Sequence, residues 1–285
     1  MALDKQELLR LEEKAHDLRS LCLQTTYDAG SAHIGGGLSV MDILTVLYHK
    51  IMKVDPKNPD WEDRDRLILS KGHVGVAHAA ALADFGYIKK EDLKSFNLTG
   101  SKLGIHLDSN KVPGVDASTG SLGHGLSIAL GMALAAKLTK KDYFTYCVLG
   151  DGECNEGAVW EAAMAVAHFK ATNLVTIVDR NKLMIDGNTE DVMALEPFAD
   201  KWRAFGFEVV EVDGHNISAL YEAFVNAKAN TSGKPVLIYA NTVKGAGVSY
   251  MEGNHGWHYG ALDDAKFNEA KESLVAYAAK RKAAV

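Results

Sequence analysis

Strands and helices alternate regularly through the second half of the chain, and this alternation constrains the fold more than any other feature. Short apolar runs predict strands, and amphipathic segments with helical spacing lie between them. The predicted strands are 143–149, 174–179, 207–212 and 235–240, and the predicted helices are 156–169, 197–205, 217–229 and a last helix from residue 263. This order is typical of a parallel sheet. We therefore expect an α/β fold with a doubly wound, mostly parallel sheet and helices on both faces.

The first half of the chain adds one short strand and several helices. The strand is predicted at 67–69, and the helices at 4–28, 40–52, 73–85 and 122–138. Residues 30–37 are predicted to form a glycine-rich turn, followed by a helix that Ser39 caps. Segments 98–121 and 241–262 are longer than simple connections require. Because no repeat or composition break divides the sequence, we expect one domain over residues 1–285.

Charge and composition argue against several classes of function. A net charge of -6 gives no electrostatic support for nucleic-acid binding. No apolar stretch approaches the ~20 residues of a membrane span, and the charged, amphipathic N-terminus does not fit a signal peptide. Cys22, Cys147 and Cys154 form no pairing motif. We expect free thiols and a cytoplasmic location.

Two polar turns follow neighbouring predicted strands. The first is Gly150-Asp-Gly-Glu-Cys-Asn-Glu-Gly157, and the second is Asp179-Arg-Asn-Lys-Leu183. Because the intervening crossover is right-handed and its strands are parallel, Asp151 and Asn181 should emerge at the same carboxyl edge of the sheet. Their oxygens are ligands suited to Mg²⁺ or Ca²⁺, and a backbone carbonyl near Leu183 would add a third. The pattern predicts a metal site.

The glycines of the first turn favour a phosphate beside that metal. Gly150 and Gly152 let the backbone approach a ligand closely, and the following helix begins with a positive dipole end. A purely structural turn with an aspartate N-cap is the alternative. A dinucleotide site would need G-x-G-x-x-G, whereas the spacing here is G-x-G-x-x-x-x-G, and no Walker A sequence is present.

Four histidines lie beside glycine-rich turns and not on apolar helix faces: His33, His73, His106 and His258. A single loop histidine is usually a surface residue, but four in such positions indicate a converging site. Imidazoles can donate to a developing oxyanion and transfer a proton near neutral pH. His255 competes with His258, because Asn254-His-Gly-Trp-His258 contains both.

The motifs together resemble the transketolase family of thiamine diphosphate enzymes. The resemblance covers nearly the whole chain in order, and the segments that carry it are Ser31-Ala-His-Ile-Gly-Gly, Leu69-Ser-Lys-Gly-His73, Gly104-Ile-His106, Thr119-Gly-Ser-Leu-Gly-His-Gly125, Gly150-Asp-Gly-Glu-Cys-Asn-Glu-Gly157, Asn181-Lys-Leu-Met-Ile-Asp-Gly187 and Lys244-Gly-Ala-Gly247 through His258. It implies transfer of a two-carbon ketol unit from a ketose phosphate to an aldose phosphate.

The resemblance also implies a role for each site residue. His33, His106 and His258 would be catalytic, with His33 and His106 bonded to the donor sugar. Asp151, Asn181 and the Leu183 carbonyl would bind Mg²⁺ or Ca²⁺. Residues expected to bind thiamine diphosphate are His73, Gly120, Leu122, Gly150, Asp151, Gly152, Glu156, Asn181, Ile185 and His258. Glu156 matches a family position near a subunit interface, and a helix N-terminal charge is the alternative for it.

Members of this family carry two further domains, and one of them supplies the glutamate that activates the cofactor. The sequence ends at Val285, after the first domain. The resemblance therefore implies a separate partner subunit with the pyrimidine-binding domain, in an α₂β₂ assembly. The Ala- and Gly-rich segments 73–83 and 126–136 are candidate interface surfaces.

Several other functions compete with this one. A 1-deoxyxylulose-5-phosphate synthase shares the Lys244-Gly-Ala-Gly region but needs a longer chain. The α subunit of a 2-oxo acid dehydrogenase would lack His33, His73 and His106 in these contexts. A non-catalytic cofactor-binding regulator would be expected to lose some of these histidines. A paralogue specialised for an unusual sugar phosphate stays open, because Ala32, Ile34 and Leu107-Asp108 depart from the usual family pattern.

Overall fold

A five-stranded sheet forms the centre of the computed structural model, which describes residues 2–285. All four strand pairings are parallel, in the order β1-β2-β3-β5-β4. The strands are β1 (Arg66–Leu69), β2 (Thr145–Gly150), β3 (Leu174–Arg180), β4 (Glu208–Asp213) and β5 (Val236–Asn241). The predicted parallel α/β sheet is confirmed.

Ten helices connect and cover these strands in the described part of the chain. They are α1 (Lys5–Asp28), α2 (Ile34–Ser39), α3 (Met41–Val46), α4 (Gly75–Phe85), α5 (Gly125–Thr139), α6 (Gly157–His168), α7 (Thr189–Val192), α8 (Phe198–Ala204), α9 (Ile217–Lys228) and α10 (Asp264–Ala283). A π-turn, Leu47–Ile51, extends α3, and short 3₁₀ turns lie at Gly72–Val74, Lys90–Ser95, Gly152–Asn155 and His255–Trp257. Within residues 2–285, no helix is both long enough and apolar enough to cross a membrane.

Side chains of each strand alternate between two hydrophobic cores, one on either face of the sheet. On β2, Tyr146 and Val148 belong to the core that packs against α1, α3, α4 and α9. Cys147 and Leu149 point the other way, into the core formed with α5, α6 and α8. This alternation confirms the expected helices on both faces. It also explains why the strands are nearly continuous apolar runs.

The prediction for residues 30–52 was partly wrong. Gly35, Gly36 and Gly37 lie inside α2, and Ser39 is the last residue of that helix and not the N-cap of the next one. The Ser39 hydroxyl instead donates to the Asp179 carboxylate at 2.6 Å. A Cβ on Gly35 would lie 2.5 Å from the Trp257 carbonyl oxygen. Close tertiary packing therefore overrides the low helix propensity of these glycines.

The segment 73–83 was also wrongly expected to provide an interface surface. Within α4, residues 75–83 are all buried in this chain. The helix packs against α1 and α2 and contributes to the core that contains Tyr146 and Val148. In contrast, α5 keeps an exposed face, where Ser127, Gly131 and Ala135 are exposed and the space beside Gly131 is open. Of the two candidate segments, only 126–136 therefore presents a free surface.

Strand register aligns the turns that carry the predicted site. Gly150 at the end of β2 pairs with Asp179 on β3, and Arg180 pairs with Asn241 on β5. The residues that follow these strands therefore emerge side by side at one edge. The predicted common placement of Asp151 and Asn181 is confirmed.

Candidate active site

A cleft of about 360 Å³ opens at this carboxyl edge. All of the predicted site residues except His106 line this cleft. They are His33, His73, Gly120, Leu122, Gly150, Asp151, Gly152, Glu156, Asn181, Leu183, Ile185 and His258. A larger cavity of about 570 Å³, between Tyr87 and Pro113, contains none of them. The convergence of these residues, and not the cavity size, marks the candidate site.

Asp151 is buried at the floor of the cleft. Its Oδ1 accepts from the Gly152 N–H at 2.8 Å, and its Oδ2 accepts from the Lys182 N–H at 2.5 Å and from Arg180 at 3.2 Å. Burial raises the pKa of Asp151, the nearby Asp179 carboxylate adds to that effect, and Arg180 opposes it. A cation beside this carboxylate would favour the ionised form further.

Asn181 and Leu183 supply two more oxygens to the same cleft. Asn181 Oδ1 accepts from the Leu183 N–H at 3.1 Å, which fixes the amide orientation. In the described residues, no group of three or more His, Cys, Asp or Glu side chains is arranged to hold a metal ion. The predicted set differs in kind, with one carboxylate, one amide oxygen and one carbonyl. These hard donors fit Mg²⁺ or Ca²⁺.

Lys71 is a cleft residue to which sequence reasoning gave no role. Its buried ammonium donates to the Gly36 carbonyl at 3.0 Å and pairs with Asp179. Although burial opposes ionisation, Lys71 and the hydroxyl donors Ser39 and Thr242 hold the pKa of Asp179 below its usual value. Asp179 is therefore a fully engaged anion that anchors α2 to the sheet.

Lys244 is the second cation that sequence reasoning left without a role. Its Nζ donates to the Leu183 carbonyl at 2.7 Å and lies 3.0 Å from His258 Nδ1. Burial lowers the pKa of Lys244 to about 8, and Lys71 adds to the effect. The available signal was positional, because Lys71 follows β1 and Lys244 follows β5 at the same edge. Because Lys71 is paired with Asp179, it is the charge of Lys244 that favours an anionic ligand at this edge.

Three of the four predicted histidines meet in the cleft. The ring centroids of His33 and His73 lie 5.0 Å apart, and each lies 5.3 Å from that of His258. Burial lowers the pKa of His33 to about 4, of His73 to about 2 and of His258 to about 3, and neighbouring charged groups contribute. Each ring is therefore neutral at pH 7 and offers one donor and one acceptor nitrogen. Within the described residues, the buried Nδ1 of His33 has no hydrogen-bond partner.

The structure separates the two rival histidines of the late loop. His258 lines the cleft, whereas His255 is exposed at the start of the turn His255–Trp257 and is not among the lining residues. The placement favours His258 over His255.

His106 lies at the rim of the cleft, against Gly120. Gly120 has a φ of +136°, and a Cβ there would lie 2.2 Å from His106 Cδ2. Only glycine permits both the backbone conformation and the contact. The long segment 98–121, which has no helix or strand in the structure, thus brings His106 beside the predicted cofactor residues.

Comparison with known proteins decides the family. Residues 11–282 match the model described as transketolase, thiamine diphosphate binding domain. The chain belongs to the transketolase family. It is 42% identical to the 6-deoxy-6-sulfo-D-fructose transketolase subunit SqwG of Clostridium sp. (strain MSTE9), over 94% of this chain and 98% of that protein. It is 44% identical to one of the subunits of the apulose-4-phosphate transketolase of Phocaeicola vulgatus, over 91% of this chain and 92% of that protein.

Solved transketolase structures share the fold. A mutant of the Pichia stipitis enzyme superposes with a TM-score of 0.87 at 30% identity, and the enzyme of Campylobacter jejuni with 0.87 at 35%. The matches cover 96% and 93% of this chain but only 43% and 42% of those chains. The transketolase family member described here is thus a subunit of a transketolase-type transferase with the thiamine diphosphate-binding α/β fold.

Proposed function

We propose that this chain is the diphosphate-binding subunit of a two-subunit transketolase, which transfers a two-carbon ketol unit from a ketose phosphate to an aldose phosphate. The observation that carries the proposal is the meeting of the His33, His73 and His258 rings in one cleft with Asp151 and Asn181. A chain that only bound the cofactor would not need this set of neutral imidazoles.

The cleft residues would hold the cofactor through a divalent cation. Asp151, Asn181 and the Leu183 carbonyl would bind Mg²⁺ or Ca²⁺, which in turn would hold the diphosphate. Gly152, His73 and His258 would complete the diphosphate site, and the residues proposed to line the rest of the cofactor are Gly120, Leu122, Glu156 and Ile185. When bound, thiamine diphosphate supplies the carbon nucleophile and the electron sink for ketol transfer.

The hydrogen bonds fix the tautomer of His258. An ammonium can only donate, so His258 Nδ1 accepts from Lys244 and the neutral ring carries its proton on Nε2. That N–H would donate to the oxygen of the ketose on which negative charge develops. His33 and His106 would bind the carbonyl and hydroxyl oxygens of the donor sugar and relay its proton.

The active enzyme would need a partner subunit with the pyrimidine-binding domain, in an α₂β₂ assembly. Two relatives matched over most of their length are named as subunits, and this chain spans less than half of the full-length structures. Ile185, which lines the cleft, is 63% exposed, as expected for a side chain that a partner covers. A cytoplasmic location is part of the proposal, supported by three buried, unpaired cysteines.

A transketolase specialised for a less common sugar phosphate is the second candidate. It is favoured by the names of two relatives, which refer to 6-deoxy-6-sulfo-D-fructose and to apulose 4-phosphate. Both candidates share the ketol chemistry and differ in the sugar chain that the assembled site accepts. The 1-deoxyxylulose-5-phosphate synthase alternative has no such support among these relatives.

Calorimetric titration of thiamine diphosphate with Mg²⁺ tests the proposal, first into this chain alone and then into its complex with a co-purifying partner. We expect binding that appears or tightens strongly with the partner. A screen of ketose phosphates with the complex then identifies the donor. Absence of binding in both preparations would contradict the proposal. Normal turnover by the isolated chain would contradict the two-subunit form.

A further inference from the structure

A short backbone bridge joins the segment before α2 to the segment after the turn His255–Trp257. Ala32 and Gly260 exchange two hydrogen bonds, each 3.1 Å long. In this antiparallel pairing His33 and Tyr259 occupy facing positions, so their side chains meet. The bridge therefore places Tyr259 directly beside a histidine that lines the cleft.

Tyr259 is held on two sides although it is exposed. Its ring centroid lies 4.8 Å from that of His33, and its hydroxyl lies 2.6 Å from Ser31 Oγ. The side chain is nevertheless 44% exposed. Ordering a large, exposed aromatic side chain costs conformational entropy. The arrangement presents a fixed phenol at the rim of the cleft, beyond His33.

The hydroxyl pair has unused hydrogen-bonding capacity. One hydrogen lies between Tyr259 and Ser31, so the accepting hydroxyl keeps its own hydrogen and both oxygens keep free lone pairs. The pair can therefore donate to, and accept from, an oxygen-rich ligand that extends out of the cleft. Its place beyond His33 matches the outer part of a sugar chain and not the reacting carbons.

We propose that Tyr259 and Ser31 are specificity-determining residues that bind the hydroxyl-bearing chain of the ketose phosphate beyond its two transferred carbons. This inference rests on the proposed transketolase function. The ligand class is a polyhydroxylated chain with a terminal phosphate. The pair contributes to its binding and takes no part in the proton transfers.

The test compares two donors, with the partner present in the complex. One donor, a pentulose 5-phosphate, carries the full chain, whereas hydroxypyruvate offers the ketol carbons without it. We expect Tyr259→Phe to lower kcat/KM for the pentulose phosphate about three- to tenfold, as for the loss of one hydrogen bond. For hydroxypyruvate we expect a change below about twofold. Ser31→Ala should show the same selectivity.

Tyr27→Phe is the matched control. The Tyr27 hydroxyl donates to Asp264 at 2.6 Å and its ring stacks on Phe267, whereas the ring of Tyr259 packs on the cleft residue His33. Like Tyr259→Phe, the Tyr27→Phe change removes one exposed hydrogen bond of a tyrosine hydroxyl. Tyr27 and Asp264 lie close in sequence to Ser31 and Tyr259. Activity with both donors should stay unchanged in this variant.

A binding measurement separates recognition from turnover. Calorimetric titration of a pentitol 5-phosphate, which lacks the reactive carbonyl, should show about three- to tenfold weaker binding to the Tyr259→Phe complex. Equal losses with both donors, or no loss with either, would overturn the inference while leaving the proposed function intact. A wild-type complex that binds the cofactor but converts neither hydroxypyruvate nor any ketose phosphate of the donor screen would overturn the proposed function itself.

Discussion

The ammonium of Lys244 donates a hydrogen bond to the carbonyl oxygen of Leu183 at 2.7 Å. These residues lie 61 positions apart in the sequence, on the loops that follow β5 and β3. One buried cation therefore ties the two loops together at the floor of the cleft. The contact places a positive charge beside the carbonyl that we propose as a metal ligand.

The Lys244 burial predicts a pH-dependent difference in stability. Folding lowers the pKa of Lys244 from 10.5 to about 8. Between these two pH values, the unfolded chain therefore binds more protons than the folded chain. The cost of burying the ammonium is fully present below pH 8 and disappears towards pH 10.5. Wild-type stability should thus rise with pH relative to Lys244→Met, by at most about 1.4 kcal/mol per pH unit. Urea unfolding of both proteins across this pH range measures the difference in their free energies of unfolding. Parallel pH profiles would contradict the prediction.

Replacement of Asp151 should remove metal-dependent cofactor binding. Asp151→Asn keeps the shape but loses the charge, so we expect the dissociation constant of thiamine diphosphate with Mg²⁺ to rise more than about a hundredfold. Glu190→Gln is the control, since Glu190 also contacts Arg180, at 3.0 Å, but is exposed. Calorimetry of both variants with the partner present decides. Tight binding by Asp151→Asn would refute the metal assignment.

His106 and Gly120 should behave as one unit. His106→Ala should leave cofactor binding largely intact and slow turnover about 10²-fold, as for a lost donor. Gly120→Ala should reproduce that loss, because its Cβ would displace the His106 ring. Gly131→Ala on α5 is the control, since its Cβ meets open space. Steady-state kinetics of the three complexes test this, and an active Gly120→Ala enzyme would count against the pairing.

The depressed pKa of His73 should lower the stability of the folded chain at acidic pH. Its pKa falls from 6.5 to about 2 on folding, so the unfolded chain binds more protons below pH 6.5. Stability therefore declines as the pH falls below 6.5, by at most about 1.4 kcal/mol per unit from this group. His73→Gln should show a shallower decline, and His255→Gln, in an exposed position, serves as the control. Urea unfolding between pH 6.5 and about 4.5 compares them. Identical slopes for wild type and His73→Gln would refute the prediction.

His215 should hold the loop that carries Lys244. Its Nε2 accepts from the Val243 N–H at 2.9 Å, so its Nδ1 carries the proton and donates to Asp42 at 2.8 Å. His215→Phe removes that acceptor, at a local cost of about 1 kcal/mol. Hydrogen exchange at the Val243 amide should then be faster, whereas His168→Phe, at the exposed last position of α6, should leave it unchanged. Unaltered exchange in His215→Phe would show that the bond does not hold the loop.

Local patterns predicted the framework because they depend on neighbouring residues. The strand starting at Leu174 and the helix starting at Ile217 follow from short apolar runs and helical spacing. The crossover rule then placed Asp151 and Asn181 at one edge. Contacts over long separations were not predictable in this way. Lys71 and Asp179 lie 108 residues apart, and Ser39 and Asp179 lie 140 apart.

The sequence by itself determined the order of strands and helices and the edge of the sheet at which the polar turns emerge, because periodicity and parallel crossovers are local rules. Only the tertiary structure decided that His33, His73 and His258 share one cleft while His106 lies at its rim. It also decided the protonation of the three rings in the cleft, because desolvation and the distance to Lys71 and Lys244 exist only once the loops have come together.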